Sequence, residues 1–329
     1  MNRNVVAARE ITLAVPESLA GRRLDQVLAE LIGEYSRSFL QGLIRDGRVT
    51  VNGSAALQKL KVASGDALVV HVPAVEEEPA RAENVALPLL FEDDAIIVVD
   101  KPAGLVVHPG AGNRSGTLMN ALLNHCRGLF ALPRAGIVHR LDKDTSGVMV
   151  VAKTEAARQS LIEALGQRRV SRIYRAICLG RLISGGTVDA PIGRHPRNRL
   201  KMAVTRAGKP AVSQYRVFER FRAHTDVQVS LETGRTHQIR VHMAYTGHPL
   251  VGDPLYGGRL SVPAGMDPLE REELSAFSRQ ALHARTLSFE HPASGKRLVF
   301  EAPLPGDFVA LAAALRRDHE KAAPGGAAS

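Results

Sequence analysis

Gly136-Ile-Val-His-Arg-Leu-Asp-Lys-Asp-Thr-Ser-Gly147 is the densest run of chemically capable side chains in the 329-residue chain. It reads as the end of a strand that delivers His139, Arg140, Asp142, Lys143 and Asp144 together, with Gly147 turning the chain into the apolar run Val148–Ala152. Asp142 and Asp144 are two residues apart, so on extended backbone they share a face at a separation of about 7 Å. Such a carboxylate pair could divide acid and base duties on a glycosidic bond. The competing reading is structural: Asp144 and Thr145 cap a turn while Asp142 pairs with Arg140 or Lys143.

Thr233-Gly-Arg-Thr-His-Gln-Ile-Arg-Val-His-Met243 is a second such concentration. His237 and His242 invite a metal, but their spacing puts them on opposite sides of a strand, or about 140° apart on a helix. Neither matches the i, i+4 pair of a zinc helix, so no metal site is expected. Thr236 is placed as the N-cap of a helix over roughly Thr236–Tyr245, ending before Gly247. Arg235 then sits in the turn entering that helix, ready to meet a carboxylate brought from elsewhere. An arginine in that position keeps an acid ionised, as a nucleophile requires. Gly110-Ala-Gly-Asn-Arg-Ser-Gly116 fits neither phosphate-loop pattern and reads as a flexible connector, so no nucleotide cofactor is expected. Tyr174 is either a half-buried sheet residue or a ring offered to a ligand. No serine or cysteine signature supports a nucleophilic triad.

The elements that must position these groups fall into two blocks. In the first 75 residues, Leu24, Val27, Leu28 and Leu31 follow helical spacing, and Ser36 is placed to cap a second helix with Leu40, Leu43 and Ile44 inward and Gly47 as its stop. A strand then enters the Asn52-Gly53 turn, with a partner over 66–72. Residues 76–87, overlapping the acidic stretch AVEEEPARAENVA (74–86), read as a linker. From about Pro88 the pattern changes to short β-rich runs (Ala95–Val99, Gly147–Val151, Ser171–Leu179, Val212–Phe218, Val227–Leu231) interrupted by helical stretches at Leu118–Cys126 and Glu155–Leu165. This predicts an α+β fold with a large mixed, mainly antiparallel sheet over 88–315 and a frayed tail over 316–329.

Composition bounds the function. At 45% hydrophobic the chain can bury a core, and two cysteines outside any C-x-x-C pair cannot build a disulfide framework. The opening residues make a poor signal peptide and no apolar run approaches the ~20 residues of a membrane span, so a cytoplasmic protein without membrane contact is expected. Lys and Arg number 43 against 33 Asp and Glu, a net charge of +10, which points to a polyanionic partner. Pro191–Pro210 holds six basic residues and no acid, and Gln167–Arg175 holds four arginines and no acid, which reads as a phosphate-contacting surface.

The Gly136–Gly147 segment resembles the signature of the RluA family of RNA pseudouridine synthases. Lys101-Pro-Ala-Gly104, Val107-His-Pro-Gly110, the Tyr174 segment, Gly234-Arg-Thr-His-Gln-Ile-Arg-Val-His242 and Gly252-Asp-Pro-Leu-Tyr-Gly257 support the likeness. Gly21-Arg-Arg-Leu-Asp25 with Val51-Asn-Gly53 is similar to an S4 RNA-binding domain, over 1–75 with its core at about 18–73. The resemblance implies the pseudouridine synthase fold and an isomerase without cofactor acting on RNA, with a 23S rRNA stem-loop (helix 69) as the target; the alternatives are the same chemistry on other rRNA or tRNA uridines, or a non-catalytic rRNA-binding assembly factor, and a monomer is expected. Asp142 matches the family's essential aspartate, Tyr174 the active-site tyrosine set against the base, and Arg235 the basic residue that pairs with the aspartate. Arg140 matches the arginine thought to fill the stack when the base flips out, and Asp144 carries no catalytic role over. Further RNA contacts are expected from His139, Arg168, Arg169, Arg194, Arg197, Arg199 and Lys201, and from Arg22, Arg23 and Arg37 in the S4-like module. Arg172 stands where many relatives have a different residue ahead of the tyrosine.

Overall fold

Apolar residues at helical and strand spacing build one core in Met1–Pro79 and a main core with two smaller clusters in Ala80–Ser329 in the computed structural model. All residues are described except 1–4, 7, 34, 36, 58, 74, 77–80, 111, 199, 258–260 and 323–329. The expected Ser36 cap and Arg199 lie outside the described residues.

The first unit runs β1 (Val5–Val6), β2 (Arg9–Ala14), α1 (Leu24–Ile32), α2 (Arg37–Arg45), β3 (Val49–Val51), β4 (Ser54–Ala55), β5 (Ala67–Val72) and β6 (Val75–Glu76). Leu24, Val27 and Leu28 form the buried stripe of α1, and Leu40, Leu43 and Ile44 that of α2. Both stripes close over an antiparallel sheet of order β2-β5-β3-β4, while β1 and β6 pair separately. Alternation along β5 sends Leu68, Val70 and Val72 inward, as a half-buried strand requires. Gly47 ends α2 where its spacing predicts, and the Arg48 N–H returns to the Leu43 carbonyl at 2.9 Å.

The second unit runs β7 (Leu89–Glu92), β8 (Ile96–Lys101), α3 (Leu118–His125), β9 (Ser146–Ala152), α4 (Glu155–Gly166), β10 (Ser171–Leu179) and β11 (Gly186–Asp189). It continues through β12 (Ile192–Arg194), β13 (Met202–Val204), β14 (Val212–Arg220), β15 (His224–Leu231), α5 (Gln238–Tyr245), α6 (Pro268–Ala276), β16 (Leu282–Glu290), β17 (Arg297–Glu301) and α7 (Gly306–Lys321). Nine strands form one sheet of order β11-β14-β15-β10-β16-β9-β8-β7, with β17 beside β16. Among the described residues only the β16–β9 pair is parallel, so the mixed and mainly antiparallel α+β expectation is met. Every residue of β9 is buried, which accounts for its continuous apolar run instead of an alternating one.

Two expected boundaries shift. Residues 81–87 belong to the second unit and are not a free linker. Asn120 donates to the Arg81 carbonyl at 2.7 Å, the Gly116 N–H donates to the Glu83 carboxylate at 2.8 Å, and Val85 and Leu87 pack on the second core. The expected tail begins inside α7, which continues to Lys321 because Leu315 is buried and Asp318 takes a 2.8 Å ion pair from Arg222. Among the described residues no helix is long and apolar enough to cross a membrane.

Candidate active site

The 136–147 segment is locked at both ends by glycine. A Cβ at Gly136 (φ +74°) would lie 1.9 Å from the Ala152 carbonyl oxygen, and one at Gly147 (φ +116°) 2.2 Å from that of Ala284. No other residue permits so close a pass in that conformation. Between them the loop is tied to the sheet. Lys101, wholly buried at the end of β8, donates from Nζ to the carbonyls of Pro102, Leu105 and Lys143 at 2.8–2.9 Å, and burial pulls its pKa down to about 7. Arg279 donates to the Asp144 carbonyl at 3.1 Å and Gln280 to the Thr145 hydroxyl at 3.0 Å. Asp144 thus serves the turn through its backbone carbonyl, while the other half of the structural reading fails, since Asp142 pairs with Arg240 and not with Arg140 or Lys143.

Asp142 is the carboxylate this scaffold presents. Its side chain is 15% exposed, and its Oδ2 accepts from Arg240 Nη1 at 3.0 Å. Arg240, on α5, also grips the buried Asp253 through Nε and Nη2 at 2.7 and 2.9 Å. Burial opposes the charge on Arg240, but the two carboxylates outweigh it and hold its pKa above the usual range. The same partner, helped by the Leu255 and Tyr256 N–H groups, keeps Asp253 low despite burial. His237 Nε2 lies 3.9 Å from Asp142 Oδ1, while its Nδ1 shares a 2.9 Å hydrogen bond with the Tyr256 hydroxyl. Burial lowers the His237 pKa and the Asp142 charge works against that fall.

These groups open on a cleft of about 510 Å³. Its lining includes Tyr174, Arg172 and Ile239 within, and the exposed Arg134, Arg140, Arg168 and Arg235. Tyr174 is 7% exposed, beside a bulge in the β10–β16 ladder, and burial raises its phenol pKa. A carboxylate, an aromatic ring and several arginines in one cleft suit a neutral heterocycle attached to a phosphate backbone.

Several expected contacts are placed differently. Arg235 does not meet Asp142: its guanidinium donates to the Pro210 carbonyl at 3.1 Å, and Arg240 takes the pairing role. The physical reason is the helix start. His237 adopts a left-handed conformation (φ +57°) as the N-cap of α5 in place of Thr236, so the helix begins at Gln238 and Arg240 lies on its buried face. His139 is no phosphate contact. Its Nε2 accepts from the Val150 N–H at 3.1 Å, and burial, aided by Arg172, drives its pKa to about 3, so the ring is neutral and braces the loop on β9. His242 bonds Ser213 and the Ala190 carbonyl, both at 2.9 Å, and no group of potential metal ligands occurs among the described residues.

The basic residues called as phosphate contacts divide by partner. Arg168 pairs with Glu232 at 2.8 Å and Arg169 with Glu290 at 3.5 Å, acids that the residue after β15 and the end of β16 supply to a segment with none of its own. Arg194 and Arg197 are exposed on and after β12, and Lys201 lies 5.8 Å from the Tyr256 ring. In the first unit Arg22 pairs with Glu30 at 2.8 Å, while Arg23 and Arg37 converge on Asp25. The residues that sequence reasoning missed are Arg240, Asp253, His237 and Tyr256. Asp253 and Tyr256 belong to the Gly252–Gly257 segment, whose part in the site its spacing did not reveal.

A mixed sheet thus carries the buried Tyr174 on a central strand, the loop entering β9 presents an arginine-held aspartate beside it, and a small α/β unit precedes both in the chain. Residues 95–245 match the family described as RNA pseudouridylate synthase, and residues 22–68 match the S4 domain. The chain belongs to the RNA pseudouridine synthases and is an isomerase. It is 56% identical over 306 residues to the ribosomal large subunit pseudouridine synthase D of Pseudomonas aeruginosa, covering 93% of this chain and 96% of that one. The protein of the same name from Escherichia coli K12 is 49% identical over 313 residues, 95% of this chain and 96% of that one. Among solved structures, human RNA pseudouridylate synthase domain containing 4 superposes with a TM-score of 0.55 at 29% identity, over 70% of this chain and 93% of that one.

Proposed function

We propose that this enzyme converts uridines of large-subunit rRNA to pseudouridine, with the helix 69 stem-loop of 23S rRNA as its target, after flipping the base into the cleft beside Asp142. The observation that carries the reading is the Asp142 carboxylate, held by Arg240 in a cleft lined by Tyr174 and edged with exposed arginines. The names of the relatives in Pseudomonas aeruginosa and Escherichia coli supply the substrate class.

The chemistry follows from these positions. Asp142 acts on the ribose side as the N-glycosidic bond breaks, either as nucleophile or as electrostatic partner; the uracil then rotates and rejoins the ribose through C5. Nothing leaves the RNA, so no cofactor is required. Taking the base out of its stack costs a few kcal/mol, which favours loops over duplex. Arg140, exposed two residues before Asp142, fills the gap that the base leaves. Arg194, Arg197 and Lys201 contact phosphates, and the S4 unit supplies a second grip in the same chain, raising effective concentration. The enzyme works as a monomer in the cytoplasm, where ribosomes are assembled.

Mapping pseudouridines in rRNA from cells lacking this protein, complemented with wild type or Asp142→Asn, tests the reading. Helix 69 uridines should lose their modification in the deletion and regain it only with wild type. Loss at other rRNA or tRNA positions would move the target while keeping the chemistry. Restoration by Asp142→Asn would make the protein an assembly factor with no catalytic need of the carboxylate.

A further inference from the structure

Arginines 168, 169, 172 and 175 share one short stretch, and three of them are matched by acids: Arg168 by Glu232, Arg169 by Glu290 and Arg175 by Asp226. Arg172 is different. It is 9% exposed and lines the cleft, no carboxylate of a described residue reaches it, and its Nε is buried without an acceptor. A buried cation with no counter-charge is costly, and folds keep one where a ligand supplies what the protein withholds. Gly234 lies against the same guanidinium. Its backbone lies outside the left-handed region, so a side chain is conformationally allowed there, yet a Cβ would sit 2.7 Å from Arg172 Nη1. The missing side chain leaves space for the guanidinium.

We propose that Arg172 contacts the substrate base, its guanidinium donating hydrogen bonds to a carbonyl oxygen of the target uracil; this rests on reading the cleft as the pocket of the target uridine. Two features favour the base over a phosphate. Arg172 and Tyr174 are both buried, two residues apart on β10, whereas Arg140, Arg168 and Arg235, exposed along the cleft, are where a backbone would pass. Arginine is donor-only, and uracil offers two carbonyl acceptors at its edge. When the C1′–N1 bond breaks, its electron pair stays on the base and spreads to those oxygens. C1′–C5 then forms and the C5 proton leaves as N1 gains one, so the exchange balances without a co-reactant. A donor fixed at a carbonyl oxygen therefore binds the departing base more strongly than the resting uridine.

The test uses the full-length enzyme on a target-loop RNA, with single-turnover rates and RNA affinity at several salt concentrations. Arg172→Met should slow conversion by about 100-fold at saturating RNA. It should leave affinity and its salt slope unchanged. Gly234→Ala, which keeps the charge but crowds it, should slow conversion while melting as wild type does. RNAs carrying 2-thiouridine or 4-thiouridine at the target supply an atom-level readout, because sulfur accepts hydrogen bonds poorly. At one of the two positions the thio-to-natural rate ratio should differ between wild type and Arg172→Met. Weaker binding with a salt slope reduced by about 1 and an unchanged rate would make Arg172 a phosphate contact and overturn the proposal. So would unaltered thio ratios at both positions. If Asp142→Asn kept its activity, the cleft reading itself would fail. If Asp142→Asn were inactive while both the Arg172 and Gly234 variants ran at full speed, only the present inference would fall.

Discussion

The two units of this enzyme bury the same ion-pair chemistry in opposite stoichiometry. In the S4 unit one carboxylate lies between two arginines: Asp25 is fully buried and accepts from Arg23 at 3.0 and 3.1 Å, from Arg37 at 3.1 and 2.7 Å, and from Gln41 at 2.6 Å. In the catalytic unit one arginine lies between two carboxylates, Asp142 and Asp253. The remainders differ in sign. Around Asp25 one positive charge is left over on side chains still 38% and 46% exposed, which suits a phosphate partner. Around Arg240 one negative charge is left over, on the carboxylate that reaches the cleft. On the function proposed above, the same interaction prepares a cation for binding in one unit and an anion for reaction in the other.

Removing the central residue of each cluster should separate these uses. Arg240→Met leaves two carboxylates without their partner. We expect a loss of about 3–5 kcal/mol in the catalytic unit, read as a fall in its melting transition, together with loss of turnover. Asp25→Asn should cost about 2 kcal/mol, confined to the S4 unit, since it removes the charged acceptor from three donors. It should weaken RNA binding with little change in the rate at saturation. A collapse of turnover in Asp25→Asn would show that the clusters are not independent.

Acid should sharpen the same contrast. Burial alone would raise the Asp25 pKa, but the donors Gln41, Arg37 and Arg23 outweigh it and bring the carboxyl to about 2, below its unfolded value of about 3.9. Its contribution is therefore complete above about pH 4 and lost as pH falls towards about 2. Acid melts of wild type and Asp25→Asn should converge across that window. The smallest effect should come from Arg235→Ala, which deletes one exposed hydrogen bond to the Pro210 carbonyl; the single-turnover rate should stay within about fivefold of wild type. A much larger loss would return Arg235 to the chemistry.

Sequence reasoning reached Asp142 and Tyr174 through the family resemblance, since their spacing alone left a turn or sheet role open for each; the structure brings the two to one cleft. It missed Arg240 because the left-handed turn at His237, which no spacing rule announces, delays the helix and passes the pairing role from Arg235 to the arginine five residues on. It overestimated the free charge of 167–175 for a related reason. A segment free of acids in sequence meets Glu232, Asp226 and Glu290 in space, contributed by β15, by the residue after it and by β16. The helices α1 to α5, the mainly antiparallel sheet and the two-unit division were legible from periodicity, whereas α6 and α7 were not expected. The ends of the linker and the tail were not, because Val85, Leu87 and Asp318 are held by partners far away in sequence.

The most direct measurement is pseudouridine formation by purified Asp142→Asn on the target stem-loop, in single turnover with enzyme saturating, beside its affinity for the same RNA. The substitution keeps the side-chain shape next to Arg240 while removing its charge, so RNA should bind within a few-fold of wild type and yield no product. Conversion at a rate near that of wild type would contradict the assignment of the reaction to this carboxylate.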